Sequence, residues 1–136
     1  MTSIYSEGNT VKIGLLGSGL IGMFYTMSLH GKRGRDRVTA VYSRTQESAD
    51  RFAEEWEIPV ATTDMQRVIE HEDVDVVIVA LPNHLHEQAV LAVAAAGKPV
   101  LCTKPLGRNA AEALRMLKAV EDAGVFHGYL EDLVFT

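Results

Sequence analysis

The 136-residue sequence predicts an α/β fold, a doubly wound parallel sheet of about six strands with helices on both faces. Three observations carry that expectation. Apolar strand-like runs alternate with amphipathic stretches along the chain, as they do where helices cover a parallel sheet. Val76-Val77-Ile78-Val79-Ala80 is apolar at consecutive positions rather than at every second one, the pattern of a central strand covered on both faces. The first such run leads directly into Gly17-Ser18-Gly19-Leu20-Ile21-Gly22, a glycine spacing that belongs where a strand turns into a helix.

Taken in order, strands are expected at residues 11–16, 37–42, 58–61, 75–81, 99–102 and 125–130, which make two three-stranded halves. A helix-like stretch over 20–30 follows the glycines. Ala49, Phe52, Ala53 and Trp56 share one face of the next helix, and Ala110, Ala113, Leu114, Leu117 and Val120 share one face of the last; both read as core stripes. Thr63-Asp64-Met65-Gln66 has the form of a capping box, and Asn109 with Glu112 offers a similar start. Gly97 and Gly124 follow helical stretches, where a left-handed residue ends a helix. Residues 1–136 read as one domain with a polar lead-in at 1–9 and no repeat, low-complexity tract or linker. The cationic stretch from Gly31 to Arg37 reads as a solvated connection.

Composition narrows the function. With 13 basic and 18 acidic residues the net charge is −5 and no block of like charge stands out, so no clustered basic face is offered to nucleic acid. Apolar runs fall far short of a membrane span, and the first ten residues lack the basic and apolar regions of a secretory signal. A single cysteine, Cys102, fits a reducing compartment, and a cytoplasmic location is expected.

The chemistry begins at the glycines. Gly17 can make the tight turn, Gly19 lets backbone approach a diphosphate, and Gly22 lets the helix pack on its strand. Unpaired backbone N–H groups and the partial positive charge of the helix start suit that anion. Gly17, Ser18, Gly19, Leu20, Ile21 and Gly22 are therefore candidate cofactor-binding residues; the bland alternative is a turn that binds nothing. About 20 residues beyond, an acid would bond the ribose of NAD and an arginine would suit the 2′-phosphate of NADP. The chain has Tyr42-Ser43-Arg44-Thr45 there. Ser43, Arg44 and Thr45 offer hydroxyls, charge and planar donors with no carboxylate in the way, which favours NADP over NAD. The alternative is that Thr45 caps the next helix and Arg44 points to solvent.

Ligands of such sheets lie beyond the carboxyl ends of the strands. After the fourth strand comes Leu81-Pro82-Asn83-His84-Leu85-His86, and after the fifth Cys102-Thr103-Lys104-Pro105-Leu106-Gly107. His84 and His86 lack the carboxylate or thiolate partners of a usual ligand set, so no metal is expected. Asn83 has a bland reading as a helix cap, His86 as a histidine on the helix surface, and Lys104 as an exposed loop lysine.

At these residues the chain resembles the glucose-fructose oxidoreductase/inositol dehydrogenase (Gfo/Idh/MocA) family. The resemblance covers nearly the whole chain: the glycine turn, Ser43-Arg44, Pro82-Asn83-His84-Leu85-His86 against the family's P-N-x-x-H, and Gly97 to Pro105 against its G-K-x-V-x-x-E-K-P. It implies the N-terminal Rossmann domain of an NAD(P)-dependent oxidoreductase acting on sugars, cyclitols or related alcohols and carbonyls. It places Leu81, Pro82, Asn83, His86 and Thr103 near the cofactor. Lys104 it brings to the nicotinamide and the reacting hydroxyl, as a cationic hydrogen-bond donor or part of a proton relay. With an ordinary pKa of about 10.4, that lysine would need burial or a neighbouring cation to act as a base near neutrality. Thr103 stands where the family usually has Glu, which removes a charge partner for Lys104. Family members continue beyond the sixth strand into a second α/β domain that supplies substrate contacts and the oligomer interface. Residues 131–136 resemble the start of that crossover, with Glu131 near the nicotinamide. The chain alone is thus expected to be incomplete for turnover, and the full-length protein to be a homo-oligomer through the missing domain. Two alternatives stay open, a stand-alone nucleotide-binding or sensing module without catalysis and a remnant that binds nothing.

Overall fold

The computed structural model describes residues 11–19, 22, 26, 37–103 and 107–130. The polar lead-in, Leu20, Ile21, most of the helix expected over 20–30, the loop at 31–36, Lys104 and the segment from Glu131 lie outside the described residues. Gly22 and Thr26 are helical.

Six strands form one sheet: β1 (Lys12–Leu16), β2 (Arg37–Tyr42), β3 (Val60–Thr62), β4 (Val76–Val79), β5 (Val100–Thr103) and β6 (His127–Leu130). Their order is β3-β2-β1-β4-β5-β6 and every pair is parallel. The two expected halves therefore meet where β1 pairs with β4, and strand order reverses at that seam. Such a switch point leaves a crevice at the carboxyl ends of the strands. The described helices are α1 (Gln46–Trp56), α2 (Met65–Ile69), α3 (His86–Ala95) and α4 (Ala110–Ala123).

The consecutive apolar run of β4 is explained by what covers it. Val76 and Ile78 join Ile13, Leu15, Val38, Val41, Phe52 and Ala53 on one face. Val77 and Val79 join Val68, Ile69, Val90, Val93, Met116 and Val120 on the other. Alternating side chains of one strand thus serve two cores, so neither face tolerates a polar residue.

The edges of the elements shift from expectation for local reasons. β3 starts at Val60 rather than at residue 58, because Glu57 ends α1 in the left-handed conformation (φ 56°) and the Ile58 N–H turns back to the Ala53 carbonyl at 2.8 Å. β4 loses its expected ends, since Asp75 binds the Lys12 backbone through its own N–H and its carboxylate, and Leu81 already belongs to the turn beyond. The cap of α2 is Asp64 rather than Thr63: its carboxylate accepts from the Gln66 N–H at 3.0 Å. Asn109 caps α4 as expected, accepting from the Glu112 N–H at 2.9 Å. The buried stripe of α4, however, is Glu112, Met116 and Val120, leaving Ala110, Leu114 and Leu117 exposed. Glu112 takes an inward position because its carboxylate accepts from both the backbone N–H and the guanidinium of Arg108, which holds its pKa below the usual carboxylate range. Gly97 and Gly124 take positive φ (73° and 68°) at the ends of α3 and α4.

Candidate functional site

The glycine turn sits between the ends of three strands. The Gly17 N–H donates to the Tyr42 carbonyl at the end of β2 (3.0 Å), and a Cβ on Gly17 would lie 2.4 Å from the Ala80 carbonyl oxygen beyond β4. Its φ of 113° is itself open only to glycine in practice. A Cβ on Gly22 would lie 2.4 Å from the Gly17 carbonyl oxygen and would also touch Leu15, so this glycine lets the helix start directly over the turn. Thr26, one turn further on and buried, donates to the Gly22 carbonyl at 2.9 Å. Gly19 differs from both: it is exposed, and a Cβ there would meet nothing within 4 Å. Backbone thus closes the turn at Gly17 and Gly22 and leaves it open at Gly19. A diphosphate approaching the turn needs such an opening at its middle glycine.

Ser43 ties the turn to β2. It is buried, its hydroxyl donates to the Ser18 hydroxyl at 2.5 Å, and its N–H donates to the Thr62 carbonyl at 3.1 Å. Thr45 is the cap of α1, accepting from the Ser48 N–H at 3.2 Å and donating to the Ser48 hydroxyl at 2.9 Å, so its hydroxyl is committed to the helix start. Arg44 is exposed.

On the other side of the seam, Leu81 is buried, and Pro82 leads into a 3₁₀ turn over Asn83–Leu85. The alternative of a helix cap at Asn83 is not what the structure shows: neither the 3₁₀ turn nor α3 has a side-chain cap. Asn83 Oδ1 is instead buried without a hydrogen-bond partner among the described residues. A buried acceptor left unpaired costs about 1–3 kcal/mol. It is an atom that a donor on a bound cofactor would satisfy.

The surface reading of His86 is also overturned. Its side chain is wholly buried, with Nε2 2.6 Å from the Leu81 carbonyl oxygen and Nδ1 3.5 Å from Cys102 Sγ. The reason was present in the spacing: His86 heads the stripe Ala89, Val90, Val93 and Ala94 that faces the sheet. His86 therefore joins the exit of β4 to the end of β5, whereas His84 is exposed. Burial pushes the Cys102 thiol up to about 12, so it stays protonated. Thr103, buried beside it, donates to the Val79 carbonyl at 3.1 Å, a bond that spends its hydroxyl on holding β5 to β4. Among the described residues no group of three or more His, Cys, Asp or Glu side chains is gathered to hold a metal.

One further feature of this rim was not read from the sequence. An open depression of about 240 Å³ lies beside the ends of β2 and β3, lined by Tyr42, Asp64, Met65, Gln66, Gln88 and Ala92 among others. Thr63 and Asp64 carried a signal, but only that of a helix start. Gln88 and Ala92 reach the depression from α3, more than 20 residues away in the chain, and no local pattern announces that.

Comparison with known proteins agrees with this geometry. The sequence model described as "Oxidoreductase family, NAD-binding Rossmann fold" matches residues 11–129. Inositol 2-dehydrogenase 4 of Saccharopolyspora erythraea is 37% identical over 114 residues, 84% of this chain and 34% of that protein. Trans-1,2-dihydrobenzene-1,2-diol dehydrogenase of Mus musculus is 36% identical over 114 residues, 83% of this chain and 34% of that protein. Among solved structures, levoglucosan dehydrogenase in complex with NADH superposes with a TM-score of 0.83 at 28% identity, over 89% of this chain and 34% of that one. The chain thus spans about a third of the length of the curated relatives it matches. With the glycine turn at the reversal of strand order and a family match over most of its length, the chain belongs to the Gfo/Idh/MocA oxidoreductase family, as its NAD-binding Rossmann domain.

Proposed function

We propose that this chain is the cofactor-binding part of a dehydrogenase that moves hydride between NADP(H), or NAD(H), and a sugar, cyclitol or related alcohol or carbonyl. The observation that carries the reading is the glycine turn, shut by backbone at Gly17 and Gly22 and open at Gly19, on the carboxyl rim at the β1–β4 seam. Amides from Ser18 to Gly22 hold the diphosphate, and Ser43 braces them through Ser18. Asn83 offers its Oδ1, unpaired among the described residues, on the β4 side. Leu81, Pro82, His86 and Thr103 shape that side: His86 and Thr103 fix the two strand ends from which the Asn83 and Lys104 segments leave. When bound, the nicotinamide supplies or accepts the hydride. Lys104 then holds a proton or a hydrogen bond at the reacting hydroxyl, without the neighbouring carboxylate that Thr103 replaces.

The preference for NADP rests on Arg44, exposed at the end of β2 with no acid at positions 43–45. Sugar or cyclitol chemistry is supported by the names of the inositol and levoglucosan dehydrogenases among its relatives. As the chain covers about a third of those inositol dehydrogenases, we place substrate contacts, closure of the site and a homo-oligomer interface in a further domain of the whole protein, which works in the cytoplasm. Fluorescence titration tests the cofactor reading directly. NADPH and NADH both bind, NADPH the more tightly, and Arg44→Ala removes the difference; binding of neither refutes the reading.

A further inference from the structure

We propose that Cys102 is a positioning residue of the cofactor site: its thiol donates to His86 Nδ1, which commits the hydrogen of the ring to Nε2 and so holds the turn that carries Asn83. The inference rests on the cofactor reading above and adds to it a residue that acts from behind the site.

His86 staples the turn after β4 in two places. Its backbone N–H donates to the Asn83 carbonyl, and its ring Nε2 lies 2.6 Å from the carbonyl oxygen of Leu81. Pro82 has no N–H to give, and neither the 3₁₀ turn Asn83–Leu85 nor α3 has a side-chain cap, so the ring does what a cap would do from the opposite end of the turn. Asn83, with its buried Oδ1 unpaired among the described residues, lies between Leu81 and His86 in the chain. Where that oxygen points therefore depends on the ring.

A neutral imidazole carries one hydrogen, and the staple works only if that hydrogen sits on Nε2, because a carbonyl accepts and cannot donate. The other tautomer would set two acceptors, Nε2 and the Leu81 oxygen, face to face at 2.6 Å. Nδ1 is then an acceptor inside the core, and Cys102 Sγ at the end of β5 lies 3.5 Å from it. Both residues are buried, and burial pushes the thiol up to about 12, so Cys102 presents the ring with a hydrogen and not with a negative charge. The Thr103 carbonyl, 3.3 Å from the same sulfur, is a rival acceptor, but the imidazole nitrogen is the more basic of the two. A relay thus runs from the thiol of β5 through the first residue of α3 to the exit of β4.

The test separates the donor from its bulk. Cys102→Ser keeps a donor and loses volume, whereas Cys102→Val keeps an apolar side chain of similar size and loses the donor. Packing alone favours the valine variant; the relay favours the serine one. In fluorescence titration Cys102→Ser keeps the NADPH affinity of wild type, and Cys102→Val binds NADPH roughly 3- to 10-fold more weakly, the scale of one hydrogen bond. ADP, which has the diphosphate but not the nicotinamide half, binds all three proteins alike in calorimetry. Nitrogen-15 NMR of the His86 ring reads the relay directly. In wild type and Cys102→Ser the hydrogen is on Nε2 and Nδ1 accepts; in Cys102→Val the Nδ1 resonance shifts, as loss of a donor requires. A hydrogen on Nδ1 of the wild-type ring, NADPH affinity as high in Cys102→Val as in Cys102→Ser, or equal losses of ADP and NADPH in Cys102→Val overturn the relay and leave the cofactor reading intact. Failure of wild type to bind either NADPH or NADH overturns the cofactor reading itself.

Discussion

Two glycines of one turn separate binding from folding. A Cβ at Gly22 would sit 2.4 Å from the Gly17 carbonyl oxygen, where ordinary contact begins near 3.4 Å, so about 1 Å of movement is forced on helix or turn. Overpacking of that kind costs about 1–3 kcal/mol. A Cβ at Gly19 meets no atom within 4 Å, and Gly19 is absent from the positive-φ positions. Gly19→Ala should therefore leave stability unchanged, or raise it by about 0.4–1 kcal/mol through the stiffer unfolded chain. Its methyl group instead stands in the open side of the turn, where a diphosphate would approach. Loss of one hydrogen bond to a charged phosphate is worth about 1.5–3 kcal/mol, roughly 10- to 150-fold in Kd. Urea unfolding and NADPH titration on the two alanine variants read these effects separately. Gly22→Ala loses stability and affinity together; Gly19→Ala loses affinity alone. Wild-type affinity in Gly19→Ala would refute the assignment of the turn to a diphosphate, and wild-type stability in Gly22→Ala would refute the packing on which it rests.

Two further outcomes concern the buried groups behind the site. His86→Ala removes a wholly buried ring and its bond to the Leu81 carbonyl, and should cost about 2–4 kcal/mol in urea unfolding. Cys102 titrates near 12 when folded against an ordinary value of 9.0. A raised thiol pKa means that the folded state holds the proton more tightly, so its contribution is fully present below about pH 9 and is lost at roughly 1.4 kcal/mol per pH unit as pH climbs toward 12. Cys102→Ala should fall less steeply than wild type between pH 9 and 11; parallel curves would show that the thiol ionises freely in the folded state.

Much of the fold was legible because its signals are local. The unbroken apolar run of β4 announced two covered faces, and Gly17, Gly19 and Gly22 announced the turn. What escaped was decided by tertiary contact. Leu114 and Leu117 look like core residues in their helix, yet the Arg108–Glu112 pairing favours the neighbouring stripe and leaves the leucines outside. A polar residue on an apolar stripe, as His86 is, can be read as surface until the partners that satisfy it are known, here the Leu81 carbonyl and Cys102. Asn83 was open to reading as a cap because capping is what asparagine does before most helices; here a 3₁₀ turn intervenes. The depression beside β2 joins residues from three elements and has no sequence signature of its own.

Pairing of β1 with β4 also shapes how the chain is made. Ile13 aligns with Val76, so the edge of β1 that faces away from β2 waits for a partner 63 residues downstream. At the roughly 5–20 residues per second of ribosomal synthesis, that interval is about 3–13 s. Throughout it Ile13 and Leu15, destined for full enclosure, border an unpaired strand edge on a nascent polypeptide. Chaperone demand during translation should therefore peak before Val79 has left the ribosomal tunnel and decline once that strand docks.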